Sequence, residues 1–184
     1  TITNTTDLVA KAQVLRNPRF ETFYLLAFKD NKLVNAMAVT SRVPFAASVA
    51  YGPIKGAEEG YKQHADFLKA NSADAYVYLH NHPSGDPSPS IADIRMTQSY
   101  TKGIAQHTTA KFREHLIINH ETYSTIDADG DFNTQDIPPN GKKDFRLGFE
   151  GIRTGLGRNV YVTNSLATAA KDIINNEALE AEEV

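Results

Sequence analysis

The residues with the most chemical capacity lie in one stretch, His80-Asn81-His82-Pro83-Ser84-Gly85-Asp86-Pro87-Ser88-Pro89-Ser90-Ile91-Ala92-Asp93. It follows an apolar, β-prone run, Ala75-Tyr76-Val77-Tyr78-Leu79, which predicts a buried strand. Alternate residues of a strand face the same side, so His80 and His82 present their imidazoles together. Two imidazoles at a strand end are half of a tetrahedral metal site. Pro83, Gly85, Pro87 and Pro89 then shape a loop, because proline fixes φ and glycine frees it. That loop delivers Asp93 into the first turn of a helix predicted over residues 90–107. Two His and one carboxylate, with a fourth position left for water, are the ligand set of a catalytic rather than a structural zinc. These residues point to a metal-dependent hydrolase.

The elements that must position them can be read on either side. Thr6-Asp7, followed by Leu8, Val9, Ala12, Val14 and Leu15, predicts a short capped helix ending before Asn17-Pro18. Glu21 to Phe28 reads as a central strand, Lys29 to Lys32 as a turn and Leu33 to Val39 as the returning strand of a hairpin. Ser41 to Pro53 fits either a further strand or a loop with Pro44 at its edge. Ala57, Tyr61, Ala65 and Leu68 recur at helical spacing between Gly56 and Asn71. Phe112 to Asn119 and Glu121 to Ile126 read as two more strands. The order β-β-α-β-α-β-β predicts an α/β fold, a mixed β-sheet flanked by helices.

From Asp127 the composition changes to turn and linker chemistry, with Asp127, Asp129, Gly130 and Asp131 and then Pro138-Pro139-Asn140-Gly141. Val160-Tyr161-Val162 fits a short strand, and Asn164 to Glu182 an Ala-rich helix with an acidic, solvated end. The expected division is a metal-binding domain with a short N-terminal helix over residues 1–126 and an extension of undisclosed role over 127–184. The three aspartates resemble a calcium loop, but glycine stands fourth rather than sixth and Pro138 occupies the twelfth place, so an acidic turn is the better reading. Gly151, Gly155 and Gly157 do not open a helix after a strand, which argues against a phosphate loop.

The totals restrict the classes. A chain of 184 residues, 41% apolar and 22% charged, is ordinary for a globular domain with a real core. A net charge of −3 gives no electrostatic reason to expect nucleic acid. With no cysteine, disulfides and thiolate metal sites are impossible, which fits a cytoplasmic protein. No apolar run approaches the ~20 residues of a membrane span, and no basic-then-apolar leader is present. The chain opens on Thr1, as a processed form or a fragment would. Zinc deaminases need a Cys pair and zincins H-E-x-x-H, and neither occurs.

H-x-H, seven residues, then S-x-x-D matches the signature of JAMM (MPN-plus) metalloproteases, with Ser90 and Asp93 where that pattern requires them. The wording from His80 to Ser90 resembles the RadC-like JAB branch, and Glu114-His115-Leu116-Ile117-Ile118 and Ser124 are similar to its later stretch. The resemblance covers residues 20–126 and implies the JAMM (cytidine-deaminase-like) architecture. It makes His80, His82 and Asp93 zinc ligands, Glu21 the upstream catalytic glutamate, and Ser90 the residue that helps hold the oxyanion. It implies hydrolysis of a peptide or isopeptide bond in a protein substrate, in the family typically one to a ubiquitin-like tail. The alternative it carries is a metal-binding protein with a DNA-repair or mobile-element-linked role and no peptidase activity. A catalytically silent interaction module is the third reading.

There are departures from the family pattern. Too little chain precedes Glu21 for the helix-hairpin-helix module of RadC-like proteins, the usual short Gly-Thr turn before Gly56 is missing, and Glu114 stands where Asp is usual. Each site residue also has a plainer reading. Ser90-x-x-Asp93 is near a capping box, and Asp93 can serve both purposes. Glu21 competes with Glu58, Glu59 and Glu121. His115 reads as a packed residue or one that backs a ligand, and His64, His107 and His120 as surface residues.

Overall fold

The computed structural model describes residues 4–16, 19–40, 49, 55–137, 152–153, 161–162 and 175. Helix α1, Thr5–Ala12, starts earlier than the Thr6-Asp7 expectation, because the Asn4 side chain accepts the Asp7 N–H at 2.8 Å. A 3-10 turn, Gln13–Leu15, ends it. Strands β1, Thr22–Lys29, and β2, Lys32–Thr40, form the expected hairpin. Asp30 and Asn31 both take positive φ, 51° and 62°, as a two-residue turn matching strand twist requires. Then come α2, Ala57–Ala70, β3, Ala75–Asn81, α3, Ile91–Ala105, β4, Lys111–Ile118, and β5, Thr122–Ile126.

The sheet continues past residue 126. The acidic turn closes on itself, with the Asp127 carboxylate accepting the Asp129 and Asp131 N–H groups, and feeds β6, Phe132–Asp136, which pairs with β5. Two short strands, β7, Ile152–Arg153, and β8, Tyr161–Val162, extend the opposite edge through β2. Asn175 bonds both backbone groups of Leu33. The rest of the expected 164–182 helix, the glycines from 151 to 157 and nearly all of 41–53 lie outside the described residues.

The result is an α/β fold with a mixed sheet in the order β6-β5-β4-β3-β1-β2-β8-β7. Among the described pairs only β3 and β4 are parallel, joined by α3 as a parallel connection requires. Strand alternation divides the core in two. On one face α1 lays Leu8, Val9 and Ala12 against Tyr24, Leu26, Val77, Leu79 and Leu116. On the other, α2 and α3 cover Phe23, Leu25, Tyr76 and Tyr78 with Ala65, Leu68, Tyr100 and Ile104.

Helices α2 and α3 approach closely at Gly103, where an added Cβ would stand 2.2 Å from the Tyr61 ring. Tyr61 is itself braced edge-on by Tyr100 at 4.8 Å, so the ring has little room to yield. Alanine gains about 1 kcal/mol of helix propensity over glycine, but overpacking costs about 1–3 kcal/mol. Gly103→Ala is therefore expected to destabilise the domain, read as a lower urea midpoint at unchanged slope.

The surface expectation for His64 is overturned: it is fully buried on the inner face of α2. Its ring fits there because it is satisfied as a neutral group. Nε2–H donates to the Val49 carbonyl, and Nδ1 accepts the Tyr78 hydroxyl at 2.8 Å. Burial pushes the imidazole down to about 4, against the Val49 bond, which raises it. Between pH 6.5 and 4 the unfolded chain binds this proton and the folded one does not, so stability falls as pH falls through that window. The loss reaches about 3 kcal/mol by pH 4. Urea midpoints of wild type and His64→Gln across that range should converge as the pH drops.

Candidate metal centre

The centre is assembled at the C-terminal end of β3. His80 continues the face of Tyr76 and Tyr78 and is buried, while Asn81 turns to the opposite face. His82 follows just beyond the strand, and the loop folds back so that its Nδ1 lies 2.9 Å from the Asp86 carbonyl. A carbonyl only accepts, so Nδ1 carries the proton and Nε2 presents a lone pair. That atom lies 3.0 Å from His80 Nε2. Two inward-facing nitrogens at that distance call for a cation, a metal ion or a proton, between them.

The first turn of α3 supplies a carboxylate. Ser90 Oγ accepts the Asp93 N–H at 3.0 Å, and Asp93 Oδ2 accepts the Ser90 N–H at 2.8 Å. The capping box therefore fixes the same carboxylate that faces the two histidines. Asp93 Oδ1 lies 3.4 Å from His80 Nε2, and Oδ2 lies 3.4 Å from His82 Nε2. Burial would raise the Asp93 carboxyl, but its hydrogen bonds with His80 and His82, the nearby His80 imidazole and the Ser90 N–H hold it far below the usual range. For His82, burial lowers the imidazole, yet Asp93, the Asp86 carbonyl and Glu21 together raise it.

Glu21 arrives by strand register. The antiparallel β1–β3 ladder ends with Phe23 opposite His80, and extending that register by two residues on each strand would set residue 21 beside residue 82. Glu21 Oε1 lies 3.4 Å from His82 Nε2. The backbone on either side is clamped by one side chain: Asn81 Oδ1 accepts the Thr22 N–H at 3.0 Å, and Nδ2 donates to the Phe20 carbonyl at 3.1 Å.

The donor spacing suits a metal. Tetrahedral ligands about 2.0–2.1 Å from an ion stand about 3.3–3.4 Å from one another. The two histidine nitrogens stand 3.0 Å apart, Glu21 Oε1 lies 3.4 Å from His82, and Asp93 turns a different oxygen to each histidine, each at 3.4 Å. Glu21, His80 and His82 each place one ligand atom within 4.8 Å of the others and could hold a metal ion. Imidazole and carboxylate donors suit zinc among other divalent ions.

The structure thus brings together Glu21, His80, His82 and Asp93, with exposed Ser90 beside them at the helix start. Two of the rival acids are engaged elsewhere: Glu58 pairs with His107 at 2.6 Å, and Glu59 takes the Lys55 N–H at 2.7 Å. Sequence reasoning gave no role to Asn81 or Thr97. Asn81 carried one signal, its place between the two histidines. Thr97 carried another, one helical turn after Asp93. His115 is buried behind His80, Nε2 to Nδ1 at 2.7 Å, and burial above all, with the neighbouring His80 imidazole, holds its own imidazole well below the usual range.

An α/β domain with a paired-histidine strand end, a helix-start aspartate and a neighbouring-strand glutamate has the architecture of a JAB/MPN domain with a candidate metal centre. The chain belongs to the RadC-like JAB domain family, which it matches over residues 9–130. Its relatives include UPF0758 proteins of Syntrophotalea carbinolica, 40% identical over 30% of this chain and 24% of that protein, and Clostridium novyi, 45% identical over 32% and 25%. That of Streptococcus agalactiae is 22% identical over 66% of this chain and 55% of its own length. The matched segments thus span between a quarter and about half of these relatives. Among the described residues no helix is long and apolar enough to cross a membrane.

Proposed function

We propose that this domain is a zinc-dependent hydrolase that cleaves a peptide or isopeptide amide bond with activated water. The observation that carries this reading is the cluster of Glu21, His80 and His82 donor atoms, with one Asp93 carboxylate oxygen 3.4 Å from each histidine. His80, His82 and Asp93 would hold the ion, since Asp93 offers one oxygen to each histidine while its capping bond fixes the carboxylate. Bound zinc supplies Lewis acidity and brings the pKa of water from 15.7 down to about 7.

Glu21 is then the general base. Its carboxylate accepts the water proton and returns it to the leaving amine, and the Asn81 clamp holds the Phe20 and Thr22 backbone on either side of it. Ser90 uses its oxygen to cap the helix, which leaves its own hydroxyl proton to donate to the oxyanion of the tetrahedral intermediate. Family resemblance supports a protein or peptide amide as the substrate, and a carboxylate beside the histidines suits the proton transfer that an amine leaving group needs.

The test pairs metal analysis of purified protein with a panel of linear peptides and isopeptide-linked protein conjugates. One zinc per chain with cleavage of either bond class supports the reading. Zinc bound with every amide left intact removes the hydrolase, and no metal bound removes the centre itself.

A further inference from the structure

We infer that Thr97 and His115 fix which nitrogen of His80 carries its proton, so that Nε2 presents a lone pair to the metal. They are positioning residues for metal binding. The inference rests on the reading of His80 as a ligand and goes beyond it, since neither residue reaches the ion. Thr97 is 0% and His115 1% exposed, so no solvent offers either an alternative partner.

The direction of each bond follows from the one before. The Asp93 backbone carbonyl can only accept, and it takes the single proton of the Thr97 hydroxyl at 2.7 Å. Toward His115 that hydroxyl must therefore accept, and His115 Nδ1 lies 2.7 Å from it. Nδ1 of His115 is thus the protonated nitrogen. A buried neutral imidazole has one N–H, so His115 Nε2 is an acceptor. It stands 2.7 Å from His80 Nδ1, which must donate. The nitrogen left to His80, Nε2, is the one aimed at His82 and Asp93.

The chain begins on the backbone of one proposed ligand, Asp93, and ends on the ring of another, His80. It joins α3 to β3 through β4. Removing the hydroxyl takes away the acceptor that holds the His115 proton on Nδ1. The His115 tautomer can then reverse, His80 Nδ1 becomes the acceptor, and His80 Nε2 becomes an N–H group that cannot bind a cation.

The test measures zinc affinity by competition with a chromophoric chelator in wild type, Thr97→Val and Thr97→Ser, each checked for folding by circular dichroism. Thr97→Val, close in shape but without the hydroxyl, is expected to bind zinc about 10–100-fold more weakly. Thr97→Ser, which restores the hydroxyl, is expected to bind as the wild type does. Long-range proton–nitrogen NMR on the wild type gives a second readout independent of any variant, with protons expected on Nδ1 of both His115 and His80. Equal zinc affinity in wild type and Thr97→Val, or a proton on His115 Nε2, overturns the inference and leaves the metal centre standing. Wild-type protein that takes up no zinc overturns the metal centre and this inference with it.

Discussion

Replacing Glu21 by Gln is expected to leave zinc bound at one ion per chain while slowing amide hydrolysis by about 10²–10⁴-fold, the usual worth of a positioned general base. The two effects separate because of geometry. Glutamine matches glutamate in shape, and the Asn81 clamp holds the flanking Phe20 and Thr22 backbone rather than the side chain, so the local chain path survives. The amide lacks the basicity to take a proton from water. The proposed ligands His80, His82 and Asp93 are untouched. Metal analysis and a cleavage assay on the same sample check both halves. Loss of zinc together with activity would make Glu21 a ligand, which its 3.4 Å approach to His82 also permits.

Asp93 is expected to give the second large effect, because one carboxylate does two jobs. Asp93→Ala should abolish tight zinc binding and also remove the acceptor of the Ser90 N–H, the reciprocal bond of the capping box, worth about 1 kcal/mol as a hydrogen bond. Asp93→Asn keeps an oxygen for that bond, so the metal-free variant should unfold close to wild type. Its zinc affinity should still fall by more than the about 10–100-fold typical of residues lying behind the ligands. Zinc at a hundred times its dissociation constant should stabilise the wild type by about 2.7 kcal/mol and neither variant comparably. Urea unfolding with and without zinc reads all of these quantities. An Asp93→Asn protein with wild-type zinc stabilisation would reduce Asp93 to a helix cap.

Much of this centre was legible because it is local. The alternation of β3 put His80 and His82 on one side, and Ser90-x-x-Asp93 announced a helix start wherever the helix went. Glu21 was legible only by resemblance, since nothing short of the β1–β3 register shows that it meets His82. The Asn81 clamp was hidden for the same reason: its partners, Phe20 and Thr22, lie on another strand. His64 misled because a histidine amid charged helix residues looks solvated. Its burial depends on Tyr78 and Val49, which no helical periodicity reveals. Strand β6 was missed because all five residues are exposed and offer no apolar alternation, so pairing with β5 alone defines it.

The loop from His82 to Ser90 orients the centre largely through main-chain atoms. The Asp86 carbonyl steers His82, the Ser90 N–H steers Asp93, and the Asn119 side chain grips the Gly85 carbonyl. Every amino acid except proline offers those same groups. Two side chains add to this frame, since Ser84 Oγ accepts the Asp86 N–H at 3.4 Å and Asp86 Oδ1 accepts the Ser88 N–H at 2.9 Å, so a substitution at 84 or 86 would reach the proposed ligands through the course of the loop. Shifting the path of this one loop would therefore displace His82 and Asp93 together.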